Sequence, residues 1–498
     1  MTEQNKVPDV IQRRYDETIA SIVNTLQWVI IALILAFIVR CFLIEAFRIP
    51  TGSMAETLSG DQYHILCDMC GYKYDLGTDH QEPPVPMCPN CGYVIPKETN
   101  LKPANGDRIF VQKCIYQFSE PKRWDVVVFR YPKYPYDNYI KRLIALPGES
   151  LEIIDGDIFI NGEIQRKPEH VQSELWMKIY DSDFVPYVYH SENKDDSSDF
   201  SWHVPFINAA DSQWDTSQAF TYSLADDTAI NYLNFDSNDG ERFRAYYAYN
   251  NTTRWRTPPV CGDFKIEYDV SFPPNTSYQV GAVIEKHSRR FHAIVRNNGS
   301  MVISEETADG QFTELSVLRP AIAPAENFTL EFALLDNMLI FKAAGNTISY
   351  DFGLSPVAMG PSDADSLPQV SIIGRGKLKL SHISVSRDTH YVSSSSIRAR
   401  KDNPFVLADD EFFMCGDNSM DSWDSRMWSG PGVGNYYHDD SGKRLAKQYR
   451  PGIVPREYLV GKAFFLYWGN AFEPFENMLP VVPNFTEMKR IYGGSDKQ

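Results

Sequence analysis

The chain has 498 residues, which is too long for one ordinary core and predicts about three domains. A hydrophobic fraction of 43% and a charged fraction of 23% argue against disorder over most of this length. The net charge of -17 argues against a phosphate-binding surface as the main functional site, because nucleic-acid binding depends on Lys and Arg. An aromatic fraction of 13%, together with 31 Pro, favours a β-rich architecture.

An almost wholly apolar run at residues 26–42 follows a polar segment at 1–25. A membrane span needs about 20 apolar residues, and this run reaches that length if Gln27 or Arg40 lies at an interface. No small-residue cleavage site follows the run, so we expect a retained transmembrane anchor at 26–46 and not a cleaved signal peptide. A buried core helix is the alternative, although a helix that is apolar on every side is unusual in a soluble protein.

Three basic residues, Lys6, Arg13 and Arg14, precede the apolar run. Basic residues beside a membrane span tend to stay in the cytoplasm, whereas neighbouring acidic residues have little influence. We therefore expect a cytoplasmic segment at 1–25, with the rest of the chain beyond the membrane.

Short runs of alternating apolar residues between turn signals predict antiparallel strands and hairpins at 105–116, 123–132, 138–148 and 151–163. The same pattern returns at 409–426 and 458–468. We expect one β-rich domain built from 47–164 and 402–480, followed by a C-terminal tail at 481–498.

A serine and a lysine in this domain have the surroundings of a nucleophile and its base. Ser53 follows a Pro-Thr-Gly turn just beyond the apolar run. A serine hydroxyl needs a base to take its proton, and none of the ten histidines lies in a serine-protease motif. Lys141 lies in an apolar strand-like run, where burial lowers the pKa of the amine and leaves a neutral base. Considered alone, Ser53 could be an ordinary turn serine without a catalytic role. Lys141 could likewise be a lysine whose aliphatic stem packs on the strand while its ammonium reaches solvent.

A third segment, Cys-Gly-Asp-Asn-Ser-Met-Asp-Ser-Trp-Asp-Ser-Arg at 415–426, completes the pattern. The three segments, in this order, resemble the type I signal peptidase family, which uses a Ser/Lys dyad on a β-rich fold. The resemblance covers about residues 25–165 and 402–470. It implies that Ser53 is the nucleophile and that Lys141 is the general base.

The resemblance also implies supporting roles around the dyad. Ser422 would hydrogen-bond the amine of the base and orient it, while Asp424 and Arg426 would form an ion pair that braces the site. The hydroxyl of Thr51 would complete an oxyanion hole with the backbone N–H of the nucleophile. The residues that match the Gly-Asp-Asn box are Gly416, Asp417, Asn418, Ser422, Asp424, Ser425 and Arg426.

The same match implies a shallow apolar pocket for small substrate residues at −1 and −3, because overfilling by a bulky side chain is costly. The residues expected to line it are Phe47, Ile49, Pro50, Met54 and Ile140. Plain core packing is the alternative for part of their surface. The positions that depart from the family pattern are Glu56, Cys415 and Ser419.

Two Cys-x-x-Cys-Gly-Tyr repeats lie between the serine segment and the first predicted strand. Four thiolates at this spacing suit tetrahedral zinc, so we expect a zinc-ribbon-like insertion at 64–97 with a structural ion and no cofactor for catalysis. Two disulfides are the alternative. The expected ligands are Cys67, Cys70, Cys88 and Cys91.

A longer insertion at 165–401 carries strand-like runs at 264–272, 328–332, 338–342 and 378–385. Their alternation with turns predicts an inserted antiparallel β-sandwich. Their order is similar to concanavalin-like jelly-roll domains, a resemblance that implies a glycan or protein ligand. A packing or spacer domain without a ligand is the alternative.

The hypothesis that unites these features is a mainly β, membrane-bound serine endopeptidase that removes signal peptides from exported preproteins. The family resemblance implies a bacterial inner-membrane location, a periplasmic catalytic domain, and preproteins, the export machinery and the lipid bilayer as partners. One alternative is a membrane-anchored surface protein that binds glycans or proteins and retains an inactive peptidase fold. Another is a Ser/Lys self-cleaving regulator, which the anchor and the acidic composition oppose.

Overall fold

The computed structural model describes residues 9–78, 86–96, 101–187, 200–225, 228–238, 240–250, 257–274, 276–319, 327–359, 366–393, 397–438, 443–469 and 488–494. Lys6 lies outside the described residues, and the side chains of Arg13 and Arg14 are not described. Parts of the expected cytoplasmic segment, ribbon, sandwich and tail also fall outside these ranges.

The N-terminal helix α1 spans Asp9–Ile38 and continues as one π-helical turn, Val39–Leu43. Its segment Glu17–Leu43 is long and apolar enough to cross a membrane, and the most apolar window of that segment is not buried by the protein. Strand β1, Ile44–Arg48, begins at once. The helix therefore begins before the expected anchor at 26–46, and the anchor's last three residues belong to β1, where Glu45 introduces a charge.

The part of the chain before the sandwich forms short strands and two short helices. In order they are β2 Gln62–Leu66, β3 Lys73–Gly77, β4 Arg108–Gln112, α2 Ile115–Phe118, β5 Val126–Arg130, β6 Asn138–Ala145, β7 Ser150–Ile154, β8 Asp157–Ile160, β9 Glu163–Ile164 and α3 Glu169–Leu175.

The inserted domain consists of β-strands. They are β10 Met177–Asp181, β11 Phe206–Asn208, β12 Asp215–Gln218, β13 Thr221–Leu224, β14 Asn231–Phe235, β15 Phe264–Ser271, β16 Gln279–Lys286, β17 Arg289–Arg296, β18 Met301–Glu306, β19 Phe312–Leu318, β20 Asn327–Leu335, β21 Met338–Ala343, β22 Asn346–Asp351, β23 Gln369–Arg375 and β24 Leu378–Arg387.

The chain then returns to the first domain. The remaining strands are β25 Phe405–Val406, β26 Glu411–Cys415, β27 Gly432–His438, β28 Arg444–Tyr449, β29 Val454–Pro455, β30 Leu459–Trp468 and β31 Lys489–Arg490.

Strands from both sides of the insertion share one antiparallel sheet. Its order is β1-β4-β30-β5-β6-β26-β29, with β31 also paired to β30. Because β26 and β30 lie between or beside strands of the first half, residues before and after the insertion form a single β-rich domain. A buried apolar cluster that includes Ile109, Val126 and Leu466 packs beneath this sheet. The cluster also contains Met54 and Leu58, from the turn that follows β1.

The inserted domain is a sandwich of two antiparallel sheets. One has the order β12-β13-β24-β15-β20-β21-β22 with β10 added on β24, and the other has the order β11-β14-β23-β16-β17-β18-β19. Alternate residues of β15 are fully buried, as its period-2 pattern requires. The first and last strands of the sandwich, β10 and β24, pair at Met177 and Arg387. This pairing brings the two ends of the insertion together. The predicted mainly β fold class is confirmed.

A buried charge cluster joins β8 to the sandwich. One carboxylate oxygen from each of Asp157, Asp263 and Asp336 lies within 4.8 Å of the others. Lys286 donates a hydrogen bond to Asp263, and Lys167 Nζ lies 2.9 Å from Asp336 Oδ1. The two ammonium groups supply the positive charge that buried carboxylates require. The cluster is therefore a polar contact between the two domains.

The described C-terminal residues are part of the fold. β31 pairs with β30 through Phe465 and Arg490, and Ile491 is buried in the apolar cluster beneath the sheet. The expectation of a tail at 481–498 is therefore wrong for residues 488–494, because this segment fills an edge of the core.

Candidate active site

Ser53 lies in a tight turn that follows β1. The turn is closed by hydrogen bonds from the Ala55 N–H to Gly52 O, at 2.9 Å, and from the Leu58 N–H to Met54 O, also at 2.9 Å. Met54 and Leu58 are fully buried, whereas Ser53 is half-buried. The buried apolar residues Met54 and Leu58 thus anchor a turn that leaves the serine partly accessible.

The side chain of Lys141, on β6, reaches this serine. Its Nζ donates hydrogen bonds to Ser53 Oγ and to Ile140 O, the latter at 3.0 Å. Only 4% of the residue is exposed. Burial lowers the pKa of Lys141 to about 8, although the carboxylates of Asp424 and Asp417 oppose this shift. The amine is thus half neutral at about pH 8, and a minor neutral fraction is already present near pH 7.

An ion pair that the sequence interpretation missed links β6 to the Gly-Asp-Asn box. Arg142 Nε donates to Asp417 Oδ1 at 2.8 Å, and Arg142 Nη2 donates to Asp417 Oδ2 at 2.7 Å. Neighbouring residues of a strand point to opposite faces, so Arg142 enters the core while Lys141 faces the serine. The position of Arg142 inside an apolar strand-like run, directly after Lys141, was the available signal.

Asp424 and Arg426 form a second buried, bidentate ion pair. Arg426 Nε lies 2.9 Å from Asp424 Oδ1, and Nη2 lies 2.7 Å from Oδ2. Burial alone would raise the pKa of Asp424, but the guanidinium outweighs it and holds that pKa below its usual value. Asp424 Oδ2 also accepts the Gly416 N–H at 2.9 Å, so the pair fixes the start of the box.

The hydrogen bond predicted from Ser422 to the lysine amine is absent. Ser422 is buried, and its side chain lies beside the Asp424 carboxylate, where it helps to hold the pKa of Asp424 below its usual value. The amine is already hydrogen-bonded to Ser53 Oγ and Ile140 O. Ser422 Oγ instead lies against Gly416, where an added Cβ would be 2.3 Å from it.

The residues predicted for the oxyanion hole, Thr51 and Ser53, lie two positions apart in the turn. Thr51 is exposed, and its backbone lies directly against Gly60, where an added Cβ would be 2.4 Å from Thr51 C. Among the described residues, none accepts a hydrogen bond from the Ser53 N–H. This N–H is therefore available to a ligand.

The residues predicted for the substrate pocket divide into two groups. Ile49 and Met54 are buried in the core beneath the sheet, as the core-packing alternative holds. Phe47 and Ile140 are half-buried against the same cluster, and Pro50 is exposed. Of these five residues, only the second group offers accessible apolar surface.

Glu56, which departs from the family pattern, lies away from the dyad contacts. It lines a cavity of ≈ 820 Å³ together with residues of the cysteine repeats and of the sandwich, including Tyr74 and Arg387. Neither Ser53 nor Lys141 lines this cavity.

The four paired cysteines come together at the tip of the β2–β3 region. The Sγ atoms of Cys67 and Cys91 are 3.7 Å apart, and those of Cys70 and Cys88 are 3.6 Å apart. Four thiolates around one ion with metal–sulfur bonds of about 2.3 Å have S···S separations of about 3.8 Å, whereas a disulfide bond is about 2.05 Å long. The four side chains are thus placed so that they could hold one metal ion.

Both cysteine repeats have the same backbone turn. The Gly71 N–H donates to Cys67 O at 2.8 Å, and the Gly92 N–H donates to Cys88 O at 2.9 Å. The φ angles of the two glycines are 73° and 76°, a region that disfavours residues with a Cβ. The glycine of each repeat therefore allows both of its thiols to face the same point.

The signal peptidase family, peptidase S26, matches residues 22–79, 95–207 and 374–468, which is more than half of the chain. The chain belongs to this family. The matched residues include the turn of Ser53, strand β6 with Lys141, and the Gly-Asp-Asn box. Most of the sandwich, residues 208–373, lies in a gap of the match.

Two bacterial members of the family illustrate the extent of the likeness. The chain is 33% identical over 132 residues to "Signal peptidase I" of Pseudomonas fluorescens, covering 26% of this chain and 35% of that protein. It is 32% identical over 149 residues to "Signal peptidase I" of Rickettsia bellii (strain OSU 85-389), covering 30% and 42%. The chain spans less than half the length of these curated relatives.

A solved structure of the carbohydrate binding module CBM66 from Bacillus subtilis aligns with 36% of this chain and 95% of its own, at 10% identity and a TM-score of 0.24.

Proposed function

We propose that this member of the signal peptidase family is a membrane-bound serine endopeptidase that removes signal peptides from exported preproteins. The observation that carries the proposal is the hydrogen bond from the buried Lys141 amine to the Ser53 hydroxyl. A lysine can act as a base near neutral pH only if its pKa is lowered, and burial lowers this one to about 8.

In the first half of the proposed reaction, Ser53 Oγ forms a bond to the carbonyl carbon of substrate residue −1 while its proton moves to Lys141 Nζ. The carbonyl electrons move to oxygen, and the Ser53 N–H and the Thr51 hydroxyl stabilise this oxyanion. When the oxyanion collapses, the C–N bond breaks. The leaving amine takes the proton from the Lys141 ammonium, and the mature protein departs.

In the second half, a water molecule attacks the resulting ester on Ser53. Lys141 takes a proton from the water and returns it to Ser53 Oγ as the ester bond breaks. The signal peptide leaves with a free carboxylate, and the dyad regains its starting protonation. Serine and lysine thus perform both halves without a cofactor.

The proposed preference for small residues at −1 and −3 follows from the accessible part of the predicted pocket. Phe47, Pro50 and Ile140 form its accessible apolar surface, and the buried Ile49 and Met54 support it from below. Since the support is close-packed, the pocket has little room to enlarge for a bulky side chain.

The proposed location is a bacterial inner membrane, crossed once by α1, with the catalytic domain on the periplasmic side. The short step from the end of the helix at Leu43 to Ser53 keeps the dyad beside the bilayer. Preproteins held by the export machinery would therefore present their cleavage sites at the height of the dyad.

We further propose that the four paired cysteines bind a structural Zn²⁺. Their S···S separations suit a tetrahedral site, and four protein ligands leave no position for a reactive water. The ion would hold the β2–β3 ribbon in place between the Ser53 turn and the sandwich.

The proposal is tested with detergent-solubilised full-length protein and a preprotein that carries an Ala-x-Ala cleavage site. We expect the wild type to release the mature N-terminus after the second Ala, as read by mass spectrometry. Ser53→Ala and Lys141→Ala should each lower the rate by at least about 10³-fold, whereas the exposed-turn control Lys377→Ala should not. Full activity in either dyad variant, or none in the wild type, would overturn the proposal.

A further inference from the structure

One turn of the inserted sandwich lies directly on the Ser53 segment. In the 3₁₀ turn Ala248–Asn250, the ring of Tyr249 covers Gly52 and Gly77. A Cβ added at Gly52 would lie 1.8 Å from Tyr249 Cε1, and one at Gly77 would lie 2.4 Å from it. The Tyr249 hydroxyl donates to Asp61 O at 2.8 Å. The ring is so close that only glycine fits at these two positions.

The next residue, Asn250, pairs its side-chain amide with that of Asn418 in the Gly-Asp-Asn box. Asn250 Nδ2 donates to Asn418 Oδ1 at 2.8 Å, and Asn418 Nδ2 donates back to Asn250 Oδ1. A primary amide has a donor end and an acceptor end, and both ends of each amide are engaged. The pair therefore fixes which way the Asn418 amide faces.

Asn418 in turn binds the nucleophile turn at two points. Its Nδ2 donates to Gly52 O at 3.0 Å, and its backbone N–H donates to Ser53 O at 3.2 Å. Gly52 C=O and the Ser53 N–H belong to one planar trans peptide, in which they point in opposite directions. The hydrogen bond from Asn418, together with the one from the Ala55 N–H to the same Gly52 O, therefore sets the direction of the Ser53 N–H, the proposed oxyanion donor.

A second contact from the same part of the sandwich supports the box from the other side. The Tyr247 hydroxyl donates to Asp417 O at 2.9 Å, and Tyr247 is buried. The residues of the box that face the nucleophile turn are thus held between β26 and the sandwich.

We infer that Asn250 is a positioning residue of the active centre: through Asn418 it orients the Gly52–Ser53 peptide whose N–H stabilises the oxyanion. The inference rests on the proposed function. If Asn250 has this role, the inserted sandwich contributes to catalysis, because Asn250 belongs to the inserted domain. Its contribution belongs to the transition state, since the oxyanion exists only there.

The matched test compares Asn250→Ala with Asn346→Ala in the full-length protein. Asn346 is also half-buried in the sandwich, and among the described residues its side chain donates to Ala344 O, at 3.2 Å, and forms no hydrogen bond with the box. We expect Asn250→Ala to lower kcat about tenfold with KM nearly unchanged, less than the ~10²-fold loss of removing an oxyanion donor outright. Asn346→Ala should match the wild type.

A double-variant cycle separates positioning from loss of folding. If Asn250 acts through Asn418, adding Asn250→Ala to Asn418→Ala should cause no further loss of kcat. If the two losses multiply, the inference is overturned. The isosteric Asn250→Asp places two oxygens face to face while preserving packing, so it should also lower kcat, and wild-type kcat in this variant would equally overturn the inference.

The outcomes also separate this inference from the proposed function. A wild-type protein that does not cleave the preprotein contradicts the proposed function itself. A wild type that cleaves, together with an Asn250→Ala variant as active as Asn346→Ala, contradicts only the positioning role.

Discussion

Arg142 and Asp417 form a bidentate ion pair in which neither side chain is exposed to solvent. Arg142 directly follows the proposed base, and Asp417 belongs to the box that holds the Ser53 turn. The pair therefore connects, through the core, the two segments whose relative position sets the distance between base and nucleophile.

Removing one partner of this pair should make the domain easier to unfold. We expect Asp417→Asn to lower the free energy of unfolding by about 3–5 kcal/mol, because the guanidinium stays buried without a counter-charge. Chemical denaturation followed by tryptophan fluorescence measures the change. Arg319→Ala, which breaks the exposed pair with Glu314, should change stability by less than about 1 kcal/mol. Equal effects of the two substitutions would contradict the role given to the buried pair.

Replacing the proposed base should make the protein more stable. Burial lowers the pKa of Lys141 from 10.5 to about 8. Below pH 8 the lysine is charged in both the folded and the unfolded state, so folding desolvates an ammonium at a cost of about 3 kcal/mol, at ~1.4 kcal/mol per pKa unit. This cost fades as the pH rises from 8 to 10.5, because the folded amine is then neutral.

We therefore expect Lys141→Met to be inactive yet more stable than the wild type at pH 7, by up to about 3 kcal/mol. The gain should disappear near pH 10.5. Denaturation midpoints at the two pH values measure it, and a Met variant less stable than the wild type at pH 7 would rule out a costly buried amine.

Gly416 should tolerate no side chain. A Cβ there would lie 2.2 Å from Ser53 O and 2.3 Å from Ser422 Oγ. We expect Gly416→Ala to cost about 1–3 kcal/mol of stability and also to displace Ser53, lowering kcat. Gly162→Ala is the control: its φ of 85° makes the substitution strained, but nothing lies within 4 Å of the added Cβ. It should lose stability and keep kcat, and a normal kcat in Gly416→Ala would count against the contact.

The cysteine cluster should contain one tightly bound zinc ion per chain. We expect elemental analysis to find it in the purified wild type and in Cys114→Ser, which changes a cysteine outside the cluster. Cys88→Ser should lose the ion, and chelation should lower the thermal stability of the wild type. Two disulfides at these four positions would contradict the site. They would be detected as four cysteines that do not react with a thiol reagent in a protein that contains no metal.

The sequence alone predicted the sheet of the β-rich domain and the sandwich because their strands carry period-2 patterns. It also predicted the residues that come together at the dyad, since Ser53 and Lys141 lie in local motifs. The expectation of a tail was mistaken at residues 488–494, because one short strand, β31, has no apolar periodicity. The role expected for Ser422 depended on a side-chain rotamer, which no spacing reveals.

Contacts between distant residues were beyond the reach of local patterns. Asn250 and Asn418 are 168 residues apart, and Arg142 and Asp417 are 275 residues apart. The first pair depends on how the inserted domain packs against the box, and the second depends on the pairing of β6 with β26 across the insertion. Asn250 lies in a loop of the sandwich and Asn418 in the Gly-Asp-Asn box, and nothing in either local sequence indicates that the two residues pair.

The most direct test of the account is the dependence of kcat/KM on pH for preprotein cleavage by the wild type. If neutral Lys141 takes the proton of Ser53, kcat/KM should rise about tenfold per pH unit below its pKa, bend at about pH 8, and level off above it. A bend near pH 6.5, as a histidine base would give, or a rate independent of pH from about 6 to 9, would contradict the account.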